Sequence, residues 1–356
     1  MDLLVLDTEL NHIDIIDAYE SLIWTDRYDE YGDFELYTAI DSEILQVLQQ
    51  DRYLLTQNSE HAMIIESIFV DTDIELGNHL RISGKSLESI LQRRIIWGRK
   101  TISGNLQNGI KTLLEECIIS PTDADRRIDN FVFEESTDPA ITELEIKAQY
   151  TGDELYEVIH KICVEHGLGF KVTLNENKQF VFKLYAGLDR SYDQITNPYV
   201  IFSSNFDNIV SSNYMESKSA LKTVTLIAGE GEGAARKFAS VGGGVGLNRR
   251  ELFTDARDIS SDNEDGTTIS DEEYILQLEQ RGREKLSECT EVTSFEGEAD
   301  VSSTFKYLDD FFIGDIVQII NEYGHNTKIR ITEIVMSENG EGLSVYPTFR
   351  NTLEGE

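Results

Sequence analysis

The feature that most constrains this chain is an alternation of apolar and polar residues, with a period of two, through roughly its first 83 residues. In one segment Phe34 and Leu36 share a face and Glu35 lies on the other. Such alternation is typical of strands with one buried and one solvated face. Turn signals at Asn58-Ser59 and near Gly77-Asn78 separate the strands and predict two hairpins. Consecutive hairpins of this kind indicate an antiparallel meander, curled into a barrel or a sandwich.

Near residue 84 the apolar spacing changes from that of strands to that of helices. Leu106, Ile110 and Leu113 recur three and four residues apart, which predicts an amphipathic helix. Thr151-Gly152-Asp153-Glu154 has the composition of a capping box, so a second helix is expected to begin there. Because strand patterns flank these helices, residues 101–200 are predicted to form a compact α+β unit between two β-rich segments.

The last part of the chain returns to strand patterns around one long helix. Leu221–Ala228 is largely apolar and β-branched, as in a strand, and Ser270-Asp271-Glu272-Glu273 is a second capping box. Asn339-Gly340 predicts a type I′ hairpin turn, and Pro347 in the final strand indicates a sheet edge or a bulge. The predicted fold class is therefore α+β and β-rich.

Charge excludes several classes of partner. Among 356 residues, 66 are acidic and 31 are Lys or Arg, which gives a formal net charge of −35. Such a surplus disfavours binding to nucleic-acid phosphates and to anionic membrane surfaces. No apolar run approaches the ~20 residues that a spanning helix needs, and the start of the chain lacks the basic region of a signal peptide. We expect a protein made in the cytoplasm, with no membrane-spanning segment.

No motif in the sequence identifies a catalytic, cofactor-binding or metal-binding residue. With so many acidic residues, neighbouring carboxylates arise by chance, and we interpret them as a solvated or inter-subunit acidic face rather than as acid–base pairs. The pairs concerned are Asp14/Asp17, Glu115/Glu116 and Asp309/Asp310. His160 and His166 share a predicted helix, but a spacing of six residues places them on different faces. The histidines form neither HExxH nor His-x-His, and no cofactor or metal is expected.

Cysteines and glycines carry little chemistry. Cys117, Cys163 and Cys289 are widely spaced, which indicates free thiols, the first two buried on helix faces, rather than a disulfide framework. The loop Gly229-Glu230-Gly231-Glu232-Gly233 looks like a phosphate cradle, but it lacks the Lys and Ser or Thr of a P-loop, and its glutamates repel phosphate. We interpret the loop as a tight strand end or an adaptable loop.

One basic patch, Arg93–Lys100, stands out in the acidic chain. We expect its cations to pair with carboxylates of a neighbouring subunit, where charge complementarity sets orientation more than affinity. A nucleic-acid site is the alternative. Trp24 and Trp97 are interpreted as core or interface anchors rather than as ligand-stacking residues.

Several segments, taken in order, resemble the tail hub proteins of long-tailed siphophages and prophages of Gram-positive bacteria. These hubs are the N-terminal, hub-forming part of tail-associated lysin-type proteins. None of the segments is a chemical signature, but the ordered set spans nearly the whole chain. The segments are Ile15–Thr25, Tyr31–Leu36, Leu91–Trp97, Gly229–Arg236, Asn248–Ile259, Phe312–Val317 and Arg330–Ile334.

The resemblance implies a fold like that of contractile-phage baseplate hubs. In such a fold residues 1–100 form a first β-barrel-type hub domain, and residues 101–200 form an inserted α+β domain. Residues 201–356 form a second β-barrel-type hub domain together with a C-terminal helix and strands. The resemblance also implies that three copies close into a ring whose pseudo-sixfold top matches the hexameric tail.

By the same resemblance we expect a structural, non-enzymatic baseplate protein at the virion tail tip. Its homotrimer closes the distal end of the tail tube and opens for DNA ejection, so that viral DNA passes through without specific binding. The implied partners are the distal tail protein, the tape measure protein and receptor-binding or fibre proteins that serve host attachment. Many family members continue into a peptidoglycan hydrolase or a fibre; here the chain stops at Glu356, so we transfer no lysin activity.

Three alternatives stay open at this point. The first is a cell-wall-degrading tail-associated lysin that uses an acidic pair in the inserted unit. The second is a carbohydrate-binding adhesion module with an exposed aromatic groove. The third is the hub of a phage-tail-like bacteriocin or injection system, which would share the same fold.

Overall fold

The segments with period-two alternation become strands in the computed structural model, which describes residues 1–40, 42–73, 77–206, 208–262, 266–299, 305–320, 323–324 and 326–350. The strands are β1 (Leu3–Leu6), β2 (His12–Ile16), β3 (Ser21–Arg27), β4 (Asp33–Ala39), β5 (Tyr53–Leu55), β6 (Met63–Asp73), β7 (Gly77–Ser86), β8 (Arg99–Asn105), β9 (Phe131–Glu134), β10 (Glu145–Thr151), β11 (Gly169–Leu174), β12 (Phe180–Tyr185), β13 (Ile201–Ser203), β14 (Ile209–Ser217), β15 (Val224–Ala228), β16 (Phe238–Gly242), β17 (Glu251–Asp255), β18 (Val292–Ala299), β19 (Ile316–Ile320), β20 (Asn326–Asn339) and β21 (Gly342–Arg350). The α-helices are α1 (Ile44–Val47), α2 (Leu106–Leu114), α3 (Pro139–Thr142), α4 (Leu155–Glu165) and α5 (Asp271–Ser287).

Both ends of the chain build one large sheet. Its strand order is β14-β18-β21-β20-β3-β4-β7-β6-β5-β1-β2, and β19 pairs with the first part of β20 and with β13. The junction is the antiparallel pairing of β20 with β3, in which Glu333 faces Arg27 and Asn339 faces Ser21. The β-rich α+β class is thus confirmed. Closure into a barrel is not detected in the part of the chain described, where the order runs as an open path from β14 to β2.

Alternation on the strands decides which side chains enter the core of this sheet. On β4 the side chains of Phe34, Leu36 and Thr38 are buried, as the period of two predicts. Trp24 on β3 is fully buried among them, which confirms it as a core anchor. Apolar residues from β19, β20 and β21 complete the same core, so the two ends of the chain are held together by burial as well as by hydrogen bonds.

A second core lies in the middle of the chain. Helices α2 and α4, the pair β8–β10 and the three-stranded sheet β11-β12-β9 enclose it, together with a 3-10 helix at Leu87–Arg93. A third, smaller core lies between α5 and the three-stranded sheet β16-β15-β17. The division into residues 1–100, 101–200 and 201–356 stays a prediction.

One of the two predicted capping boxes is wrong. The Ser270 hydroxyl does accept a hydrogen bond from the Glu273 amide (3.2 Å) at the start of α5. At the other site α4 begins at Leu155, after Glu154, which makes no side-chain cap. The reason is tertiary pairing, because Glu154 forms a β-bridge with Ile95 that holds the preceding backbone extended.

The last predicted hairpin is confirmed, but its predicted turn type is wrong. Strands β20 and β21 do form a hairpin, but Asn339 pairs with Gly342. The positive φ falls on Gly342 (+119°) rather than on the two turn residues, so the turn is not of type I′. Pro347 lies in β21 between β18 and β20 and not at an edge. The pairing of β21 with β18 is interrupted beside it, between Val345 and Thr348. No hydrogen bond to β18 is therefore needed from the backbone N–H that proline lacks.

A buried carboxylate ties the first β-rich segment to the last one. Asp26 is fully buried on β3 and accepts hydrogen bonds from three donors. These are Ser59 Oγ at 2.7 Å, Tyr307 Oη at 2.9 Å and Trp24 Nε1 at 3.0 Å. Burial raises the pKa of Asp26, and the donors oppose that rise. The network joins Asp26 on β3 to Tyr307, which lies 281 residues further along the chain.

A buried ion pair ties the same region to the second core. His61 Nδ1 lies 3.0 Å from Glu88 Oε1, which also accepts a hydrogen bond from the Val172 amide at 2.7 Å. Burial disfavours a charge on His61, but the carboxylates of Glu88 and Asp26 outweigh it and raise the His61 pKa to about 9. The imidazole is therefore protonated at neutral pH and neutralises Glu88.

We predict that His61→Ala destabilises the protein strongly, because it leaves the buried Glu88 carboxylate without its counter-ion. The free energy of unfolding should fall by about 3–5 kcal/mol, measured by urea unfolding at pH 7. The matched control is His12→Ala, whose side chain is exposed on β2 and which should change stability by less than about 0.5 kcal/mol. Equal effects of the two substitutions would contradict the role of the pair.

Candidate functional site

The small sheet β16-β15-β17 has one covered face and one open face. Central β15 runs antiparallel to β16 and parallel to β17. Thr225 and Ile227 point to the covered face, where α5 packs. The approach is close, because a Cβ added at Gly282 of α5 would lie 2.6 Å from Ile227 Cδ1. Glycine at this position lets the helix seal one side of the sheet.

The open face is apolar. Leu226 pairs directly with Phe253, and Phe238 pairs with Ala228 two residues along β15, so the three large side chains share that face. They remain exposed, with 46%, 57% and 49% of the surface of Leu226, Phe253 and Phe238 accessible. The Arg236 guanidinium lies 6.0 Å from the ring centroid of Phe238 and 5.9 Å from that of Phe253. Exposed apolar patches of this kind mark interaction sites.

A glycine-rich loop extends the apolar surface. The loop 243–248 connects β16 to β17 and carries Val245 and Leu247, which are 86% and 98% exposed. Positive φ values at Gly242 (+85°) and Gly244 (+126°) allow its bends. Its base is held because the Gly243 amide donates to the Thr223 carbonyl at 2.8 Å. We call the open face together with this loop the β15 face.

Charge sets the β15 face apart from the rest of the chain. Residues 218–257 contain seven Lys or Arg and four Asp or Glu, a positive surplus in a chain whose net charge is −35. Five of these seven cations are in ion pairs: Arg249 with Glu251, Arg236 and Arg257 with Asp255, Lys237 with Asp271 and Lys218 with Glu291. The face therefore presents apolar groups in a nearly neutral part of a chain that is otherwise acidic.

The glycine loop at 229–233 is a strand-end turn rather than a cradle. The Gly229 amide donates to the Lys237 carbonyl, and the Lys237 amide donates back to the Glu230 carbonyl. The Glu230 carboxylate accepts hydrogen bonds from the Ser261 amide and hydroxyl. A Cβ at Gly229 would lie 2.4 Å from Tyr274 Oη, so the glycine permits close packing on α5. Close packing therefore explains why residue 229 is glycine, and no bound phosphate is needed to explain it.

The basic patch at Arg93–Lys100 makes contacts within the chain. Lys100 pairs with Glu116 at 3.0 Å, and Arg99 donates to the Asp262 carbonyl at 2.5 Å. The exposed Trp97 ring is stacked under the guanidinium of Arg126, 4.3 Å from the ring centroid. Pairing with a neighbouring subunit stays a prediction.

The residues considered for chemistry lie apart from one another. Glu116 binds Lys100, Asp310 accepts a hydrogen bond from the Lys306 amide (2.9 Å), and Asp14 accepts one from the Ile15 amide (2.8 Å). One residue of each acidic pair therefore has its own local partner. Cys117 and Cys163 are buried, as predicted, and Cys289 is half-buried.

One cluster escaped the sequence-based reasoning. Asp29, Glu30 and His160 each offer a potential metal-ligand atom, and these atoms lie within 4.8 Å of one another. The sequence pointed only to the spacing between His160 and His166. Asp29 is 131 residues from His160, so no local pattern could have joined them.

Helix α5 is anchored to strand β10 and helix α4 by a buried polar network. Tyr150 Oη donates to Glu284 Oε1 at 2.6 Å, and Arg283 Nε donates to Glu165 Oε1 at 3.2 Å. Gln280 also donates to the Glu165 carboxylate. Burial, followed by the nearby charge of Glu284, raises the Glu165 pKa to about 7. The network fixes the helix on which the β15 face is built.

Comparisons with known proteins identify the kind of molecule. The sequence profile of a family described as Siphovirus ReqiPepy6 Gp37-like protein matches residues 2–349. The chain belongs to this family. Membership of a siphovirus family confirms the resemblance to siphophage proteins. None of the curated proteins matches it by sequence.

Solved structures support the same fold. The prophage tail protein gp18 from Listeria monocytogenes EGD-e has a TM-score of 0.57 at 14% identity, covering 100% of this chain and 96% of that chain. The 43 kDa tail protein of prophage MuSo2 from Shewanella oneidensis has a TM-score of 0.58 at 12% identity, covering 99% and 98%. A tail protein from Neisseria meningitidis MC58 has a TM-score of 0.57 at 10% identity, covering 98% and 96%. At these identities the likeness shows the fold alone.

Among the residues that the structure describes, none of the helices has both the length and the apolar character that crossing a bilayer requires.

We predict that ionisation of Glu165 weakens the protein as the pH rises. Its folded pKa of about 7 lies above the ordinary glutamate pKa of 4.5, so its stabilisation is full below pH 4.5 and is lost as the pH rises through 7. That loss amounts to roughly 3 kcal/mol. Relative to the unchanged protein, Glu165→Gln should therefore gain about 2–3 kcal/mol between pH 5 and pH 8.

Urea unfolding at the two pH values measures this gain. Glu157→Gln, an exposed position on the same helix, serves as the control and should shift stability by the same small amount at both pH values. A Glu165→Gln effect that does not change with pH would refute the proposed cause.

Proposed function

We propose that this tail protein is a structural, non-enzymatic hub at the tail tip, three copies of which form a ring. The ring closes the distal end of the tail tube and opens for DNA ejection. In this proposal residues 1–100 and 201–356 supply two hub domains and residues 101–200 form a unit inserted between them. The observation that carries the proposal is the β15 face, an exposed apolar sheet face in a nearly neutral part of a chain of net charge −35.

Ring closure explains why such a face would be exposed on one chain. A ring of identical subunits uses heterologous contacts, so each copy must offer two different and complementary patches. The β15 face is apolar and nearly neutral in charge, whereas the rest of the chain is strongly acidic. One copy can therefore place its β15 face against an acidic surface of the next, and the same contact repeats until the ring closes.

The energy available from this face suits a specific contact. A fully buried aromatic side chain removes about 150–250 Å² from water, so covering the exposed halves of Phe238 and Phe253 removes on the order of 200 Å². At roughly 25 cal/mol per Å² this contributes about 5 kcal/mol before the entropic cost of association. Val245 and Leu247, which are almost fully exposed, add to that gain.

The acidic charge suits a passage for DNA. Phosphates are repelled by carboxylates within about the 8 Å Debye length of physiological salt, so an acidic wall discourages DNA from binding without blocking it. DNA would then pass without specific binding. The proposed protein partners are the distal tail protein, the tape measure protein and receptor-binding or fibre proteins.

We predict that the purified protein assembles through the β15 face. Light scattering at micromolar concentration should give a mass of three times the 40.4 kDa of one chain. Phe253→Glu should yield a folded monomer, because it places a charge and a desolvation cost in the contact. Phe253→Leu, which keeps the position apolar, should stay trimeric, and circular dichroism checks that both variants fold.

The possible results separate two claims. A monomeric unchanged protein would refute the ring. A trimeric Phe253→Glu variant would leave the ring standing but would exclude the β15 face as its contact.

A further inference from the structure

A crevice of about 520 Å³ opens where three parts of the chain meet, away from the β15 face. Asp29 and Glu30 follow strand β3, and His160 lies on α4 of the inserted unit. The segment between α5 and β18 forms another wall, and Thr332 of β20 and Arg350 of β21 complete the lining. Side chains from distant parts of the sequence thus converge on one cavity.

The histidine is held in place for ligation. His160 Nδ1 lies 2.7 Å from the Asp29 carbonyl oxygen, which can only accept, so Nδ1 carries the proton and Nε2 keeps its lone pair. The ring also stacks on Tyr156 with an interplanar angle of 3°. A backbone carbonyl that fixes the tautomer of a histidine is the usual support of a metal-bound imidazole.

The two carboxylates have no competing partner. Within the residues that the structure describes, no other residue donates a hydrogen bond to the carboxylate of Asp29 or Glu30, and neither forms an ion pair. Arg330 of the crevice wall is turned away, because it donates to the Gly314 carbonyl at 2.6 Å and lies over the Tyr28 ring. Arg350 also lines the crevice, and its positive charge acts on Asp29. Two carboxylates therefore face the crevice beside an imidazole ring.

We propose that Asp29, Glu30 and His160 form a binding site for a divalent transition-metal ion of the Zn²⁺ class, which joins the loop after β3 to helix α4. The ligand set is one imidazole and two carboxylates, which suits Zn²⁺. Ca²⁺ fits poorly because it takes six to eight oxygen ligands. Three protein ligands leave a coordination position for water, and each of the three residues offers a potential ligand atom within 4.8 Å of the other two.

A bound ion would strengthen the attachment of the inserted unit. It would cross-link residues that lie on either side of the crevice, and binding to the folded state alone raises stability in proportion to the logarithm of ligand concentration. This role is independent of whether three copies form a ring.

Calorimetric titration of the full-length protein with ZnCl₂ tests the site. We expect one equivalent to bind at micromolar concentration, with a rise in melting temperature, and CaCl₂ at the same concentrations to do neither. Glu30→Gln and His160→Ala should each weaken Zn²⁺ binding at least tenfold. Glu30→Gln is the second variant in case removal of the His160 ring disturbs folding, which circular dichroism reveals.

Two controls exclude other ligands. His166→Ala removes a histidine of the same helical region whose Nδ1 is bonded to the Ile162 carbonyl, and Cys289→Ser removes the thiol beside the crevice wall. Both should retain binding. Absence of Zn²⁺ binding, or binding that survives in both Glu30→Gln and His160→Ala, would overturn the proposal, as would loss in Cys289→Ser alone.

Discussion

The pairing of β20 with β3 is the constraint on which the rest of the structure depends. It joins residues about 300 positions apart, from Arg27–Glu333 to Ser21–Asn339. The entropy of closing so long a loop grows only slowly with length, by about 0.6 kcal/mol per doubling, so one extended ladder with a shared core can hold it. Arg27 adds a fixed point, because its guanidinium binds both Glu333 (2.7 Å) and Asp33 (2.5 Å).

That pairing also positions strand β11 of the second core. Directly after β3, Tyr28 is wedged between Gly169 of β11 and Gly314 before β19. A Cβ at either glycine would lie within 2.4 Å of the Tyr28 ring, at 2.4 Å and 2.3 Å. Three segments meet at this ring only because two of them lack a side chain there. The crevice with Asp29 and the network of Asp26 lie on either side of the same short stretch, so one ladder positions both.

Sequence reasoning succeeded where the information is local. The alternation on β4 and the cap at Ser270 depend on residues a few positions apart, and the structure has both. It failed at Glu154, because the bridge to Ile95 outweighs a local capping preference. It could not find the Asp29–His160 cluster, which only tertiary folding assembles. Leu226 illustrates the same limit, because a strand pattern shows that a face is apolar but not whether another element covers it.

The proposed ring requires that copies of a strongly acidic chain associate with one another. Net charge alone argues against association, since like-charged copies repel one another. Screening confines that repulsion to roughly 8 Å, so contacts at shorter range decide where copies meet. We expect that repulsion to be weakest at the β15 face, because residues 218–257 carry seven Lys or Arg against four Asp or Glu. It is also where apolar side chains remain uncovered on a sheet whose other side α5 has already sealed. In the proposed ring, global charge would suppress unspecific contacts while this face directs a specific one.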